Sequence, residues 1–116
     1  MYGDALQEIA DALVAAGIPA TTEASQLQTP GVLVTPGPLS FNRQSADVLE
    51  AVIELYLITG NKPAPQALND LSTLLMQVRD LYAVGEAEPL TMTLQATGRD
   101  PVPCLRTELT VQITKD

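Results

Sequence analysis

The chain has 116 residues, 46% of them hydrophobic, with 14 acids against 6 bases, a formal net charge of −8, no histidine and one cysteine. That length suits a single domain over residues 1–116 with a modest aliphatic core, since the only aromatics are Tyr2, Phe41, Tyr56 and Tyr82. The balance excludes an internal disulfide framework, a histidine-based nucleophile and a phosphate-neutralising basic surface. With neither an apolar run of membrane length nor a signal-peptide layout, a soluble cytoplasmic protein is expected.

In chain order, Asp4 followed by Gln7 predicts a capping box at the start of a helix. Leu6, Ile9, Ala10, Leu13 and Val14 form its apolar stripe, and Gly17 stops it. A breaker-rich stretch follows, holding a short strand, Gly31-Val32-Leu33-Val34-Thr35, between Pro30 and Pro36; flanking prolines favour a sheet edge. Residues 36–47 read as a loop or mobile arm, because Pro36, Gly37, Pro38, Ser40, Asn42, Gln44 and Ser45 oppose regular structure. Within that arm Leu39 and Phe41 seek an apolar partner, and Arg43 offers a charge contact.

The segment 48–59 suits a helix on propensity, yet Leu49, Ala51, Ile53, Leu55 and Leu57 alternate without a miss and its β-branched content favours a strand. Its second face sets Val48, Val52, Tyr56 and Ile58 beside Glu50 and Glu54. Burial of each such aliphatic side chain is worth about 1.5–3 kcal/mol, so something is expected to cover part of that face, and a neighbouring subunit is the expected cover. After a turn at Gly60-Asn61-Lys62, Pro63 or Pro65 opens a second helix with Leu68, Leu71, Leu75, Val78 and Tyr82 as its stripe, widened by Leu74 and Leu81. Gly85 and Pro89 end it. Residues 90–96 alternate Leu90, Met92, Leu94, Ala96 inward, and residues 105–114 repeat the pattern with Leu109, Val111 and Ile113; the breakers from Gly98 to Pro103 make the two a hairpin. The predicted fold is α+β, a four-stranded antiparallel sheet with both helices on one face, in the order α-β-β-α-β-β.

No residue cluster predicts chemistry, and no catalytic residue, metal or cofactor is expected. Cys104 follows Pro103 without a sequence-near base to make a thiolate. Glu50 and Glu54, on one strand, would stand about 13 Å apart, too far for paired glycosidic carboxylates. Pro36-Gly37-Pro38 lacks the lysine and strand-loop-helix context of a phosphate loop. Arg79-Asp80 and Arg99-Asp100 read as surface pairs.

The element order resembles the tail-terminator proteins of long non-contractile-tailed bacteriophages, the group typified by the lambda terminator. The likeness rests on the N-terminal amphipathic helix, the Pro-Gly-Val-Leu-Val strand at 30–34, and the strand Val-Leu-Glu-Ala-Val-Ile-Glu-Leu-Tyr-Leu at 48–57. The second helix at about 65–82 and the last strand, Leu-Thr-Val-Gln-Ile-Thr at 109–114, complete it. The resemblance implies a structural virion protein of the siphovirus neck, made in the host cytoplasm: a subunit of a hexameric ring that stops the growth of the tail tube and joins head to tail. Its partners would be copies of itself, the tail-tube protein and a head-side connector or stopper. DNA would be passing cargo, and no membrane would be involved. The expected subunit contacts are Val48, Val52, Tyr56, Ile58, Leu39, Phe41 and Arg43, and the expected channel-facing acids are Glu86, Glu88, Asp100 and Glu108. Other neck components, such as a head-closure or adaptor subunit, and a small dimeric binding module outside phage biology share the same pattern.

Overall fold

The computed structural model describes residues 2–41, 48–60, 62–93 and 101–114. Helix α1 (Tyr2–Ala15) leads to a two-residue strand β1 (Ala20–Thr21) and a single 3-10 turn (Ala24–Gln26). The strands β2 (Gly31–Phe41) and β3 (Val48–Ile58) precede helix α2 (Ala64–Arg79), and β4 (Glu88–Met92) and β5 (Val102–Thr114) close the chain.

The sheet has five strands in the order β1-β2-β3-β5-β4. It is α+β as expected, but mixed: β1 runs parallel to β2, while the other three pairings are antiparallel. A strand of two residues has no periodicity to read, and β1 exists because the Val32 N–H reaches the Pro19 carbonyl at 2.9 Å. The second departure from expectation is β2. Residues 36–41 are strand, not an arm, and pair with β3 through a register shift between Pro36 and Leu39. The prolines are tolerated because β1 pairs only with Val32 and Leu33, so the outer side of β2 beyond them needs no donors. Residues 42–47, the rest of the expected arm, lie outside the described residues.

Both helices cover one face. Ile9, Ala10 and Leu13 of α1 and Leu71, Leu74 and Val78 of α2 pack on Val32, Val34, Ile53, Leu55, Leu57, Leu105 and Leu109. Helix α1 begins at Tyr2, so Asp4 lies within the first turn, where its charge suits the helix dipole, instead of capping it. Gln7 instead donates to Asp11 one turn on (2.9 Å). Gly17 does end the helix: at φ +88° it allows Ile18 N–H to reach the Leu13 carbonyl (2.9 Å) and its own N–H the Val14 carbonyl (3.0 Å). The stripe of α2 is rotated from the expected one, with Ala67 buried and Leu68 45% exposed. Leu81 and, on α1, Val14 likewise face outward at 44% and 54% exposure.

The start of α1 is stitched into the sheet. At the register shift of β2 the Tyr2 hydroxyl donates to the Val52 carbonyl (2.7 Å) and accepts from the Gly37 N–H (2.8 Å), with the Gly37 carbonyl also in reach at 3.1 Å. One side chain thus satisfies the backbone groups that the bulge removes from the ladder. Residue 37 must be glycine here, since a Cβ would lie 2.7 Å from the Val52 carbonyl oxygen.

Candidate functional site: the open face of the sheet

Alternation along β3 sends Val48, Glu50, Val52, Glu54, Tyr56 and Ile58 to the face away from the helices. Register then sets their neighbours. Ile58 lies opposite Cys104, Tyr56 opposite Arg106, Glu54 opposite Glu108, Val52 opposite Thr110 and Glu50 opposite Gln112. β4 continues two of these rows, with Leu90 beside Cys104 and Glu88 beside Arg106.

One end of this face is closed by the subunit itself. Leu27, just after the 3-10 turn, is buried on Leu33, Ile58, Val102 and Cys104, and Tyr56 and Met92 pack against the same cluster. Cover was expected over part of this face, and here it comes from within the chain. Ile58 is fully buried beneath it and is no subunit contact, a correction to the sequence reading. Leu90 also departs from its expected inward position. It sits on this open face because the register sets it beside Cys104, and at the edge of the sheet it is 38% exposed. Leu94 and Ala96 lie outside the described residues. The buried Cys104 thiol is pushed up to about 11 by desolvation, which keeps it protonated and unreactive near neutrality.

The middle of the face holds charge. Glu54 and Glu108 stand directly opposite one another, an arrangement that repels unless a cation intervenes. Arg106 intervenes: its Nε donates to Glu54 (2.8 Å), and its terminal nitrogen bonds both Glu54 and Glu108. Those carboxylates, Glu54 foremost, raise the guanidinium above its ordinary range. Beside this group a shallow cleft of about 290 Å³ is lined by Gly85, Glu86, Glu88, Arg106, Glu108 and Thr110. Among the described residues, Glu50, Glu54, Glu88 and Glu108 thus share this face with a single base, Arg106.

Beyond the charged rows the face is open and mixed. Val48, Glu50 and Val52 are half-buried, and Thr110 and Gln112 are exposed. The expected contact residues are therefore divided. Val48, Val52 and Tyr56 share the open face, whereas Leu39 pairs with Ala51 on the helix side and is 51% exposed there. Phe41 follows on β2 in register with Leu49, and Arg43 lies outside the described residues. Of the expected channel acids, Glu88 and Glu108 fall on the open face and Glu86 at its rim, while Asp100 lies outside the described residues.

Sequence reasoning missed Arg106 as the centre of the charged rows, and Leu27 as the cap. For Leu27 a signal existed: it is a lone apolar residue between Gln26 and Gln28 in a breaker-rich stretch. For Arg106 the signal appears only once strand register places it between two glutamates. Among the described residues no group of three or more cysteine, aspartate or glutamate side chains could hold a metal ion, and no helix is long and apolar enough to cross a membrane. No protein-family model matches the chain, and neither a curated protein nor a solved structure matches it.

Proposed function

We propose that this chain is a ring-forming structural subunit of a bacteriophage neck, which caps the tail tube, stops its polymerisation and presents a surface to the head-side connector. The observation that carries the reading is the half-covered sheet: helices seal one face, Leu27 seals one end of the other, and Val48 and Val52 are left half-buried beside unsealed carboxylates. An apolar strip left on an otherwise polar face suits a permanent neighbour. The division of the face is lateral. Val48, Val52 and Tyr56 on β3 meet the neighbouring subunit, and Glu86, Glu88 and Glu108 on the β4–β5 side face the channel. There carboxylates repel phosphate and let DNA pass without sticking.

A closed ring uses two different patches of every subunit, so one substitution damages all its interfaces at once. Val52→Lys is expected to leave a folded chain that neither forms rings nor binds the end of tail tubes grown in its presence, as seen by electron microscopy. Wild-type protein should form rings at one end of the tubes and limit their length. Capped tubes with the Val52→Lys chain would remove Val52 from the interface, and wild-type protein that ignores tube ends would remove the reading.

A further inference from the structure

The two edges of the sheet are unequal. Past Val34 the β2 edge carries Pro36 and Pro38, which have no N–H, and the Gly37 N–H is taken by the Tyr2 hydroxyl. An incoming strand finds no continuous ladder there. On the opposite side β4 covers β5 only from Val102 to Arg106. The chain preceding β4 forms no further strand on β5: the Glu86 carbonyl accepts from the Thr107 hydroxyl at 3.1 Å, and Gly85 and Glu86 flank a cleft shared with Glu108 and Thr110. β5 nevertheless continues to Thr114, paired with β3 throughout. Among the described residues its outer side is without a strand from 108 to 114. That segment, Glu-Leu-Thr-Val-Gln-Ile-Thr, has no proline, glycine or lysine, the usual means of discouraging edge pairing, and is rich in strand formers.

We propose that this edge is a strand-addition site whose occupant is the same segment of a second copy, running antiparallel about Val111. With one usable edge per copy, sheets cannot be added head to tail, and a two-fold contact is the arrangement that satisfies both edges. Centred on Val111, the register sets Leu109 opposite Ile113 and Thr110 opposite Gln112. Apolar residues then meet on the helix side, where Leu109 is buried and Val111 and Ile113 are half-buried, and polar residues meet on the open side. No like charges face each other: Glu108 lies opposite Thr114 and is already bound by Arg106. The pairing uses a different surface from Val48, Val52 and Tyr56, so a failure to cap tail tubes leaves it intact.

Sedimentation of the full chain tests this. The wild type should be dimeric. Thr110→Lys with Gln112→Lys places lysine opposite lysine twice and should weaken the dimer by about tenfold or more, whereas Thr110→Lys with Gln112→Glu restores opposite charges and should recover it. Both positions are exposed in the subunit, so folding, followed by circular dichroism, is preserved. Val111→Cys should cross-link under mild oxidation, the buried Cys104 staying silent. A wild type that stays monomeric at its highest soluble concentration overturns the proposal and leaves the edge to a strand of another protein. A dimer indifferent to the double-lysine change overturns the assignment to β5.

Discussion

Replacement of Tyr2 by phenylalanine removes a single oxygen and leaves the ring packed where it is, so its effect measures the stitch between α1 and the bulge of β2. The hydroxyl donates to the Val52 carbonyl at 2.7 Å and accepts from the Gly37 N–H at 2.8 Å. Each bond is worth about 0.5–1.5 kcal/mol net, and a buried group left without a partner costs more. The site is only partly buried, and water can reach some of the freed groups. The expected loss is about 1–2 kcal/mol, which in a chain of this size lowers Tm by about 4–8 °C. Thermal unfolding by circular dichroism reads that shift, and hydrogen exchange should show the Gly37 amide opening faster while amides of α2 are unchanged. A Tm within about 1 °C of wild type, with equal protection at Gly37, would refute the reasoning, because the bulge would then be satisfied by solvent.

Burial holds the Cys104 thiol at about 11 instead of its ordinary value near 9, so the folded chain keeps a proton that the unfolded chain releases between those values. That contribution is complete below pH 9 and disappears as the pH rises to about 11; the unfolding free energy from urea titrations should fall across this window by about 3 kcal/mol more than in Cys104→Ala, and parallel curves would count against it. Leu71 is fully buried under α2 and Leu68 is 45% exposed, so Leu71→Ala should cost about 3 kcal/mol and Leu68→Ala less than about 1 kcal/mol in the same denaturant assay. Equal losses would mean that the buried stripe of α2 is not Ala67, Leu71, Leu74 and Val78.

The open face joins residues far apart in sequence, and that separation decides what could be read from the chain alone. Period-two alternation in residues 48–58 identified β3 and both of its faces, because adjacent side chains on a strand must point oppositely whatever pairs with them. The stripe of α1 apart from Val14 and the stop at Gly17 were equally local, resting on the 3.6-residue repeat and on the backbone freedom of glycine, whereas the side of α2 that is buried was not. Composition alone established the acidity and the absence of histidine.

Local signals misplaced whatever depended on a distant partner. Pro36 and Pro38 oppose a strand in isolation, yet β2 persists through them because among the described residues its outer side has no strand beyond Leu33 and Tyr2 completes the ladder from 35 residues away. Ile58 looked available to a neighbour because nothing in the sequence ties it to Leu27, which covers it. Arg106 gained its place between Glu54 and Glu108 only from the β3–β5 register. The periodicity of each element is written in adjacent residues, whereas the identity of what lies across from it is fixed by chain packing, and on this protein the half-covered face is a property of the second kind.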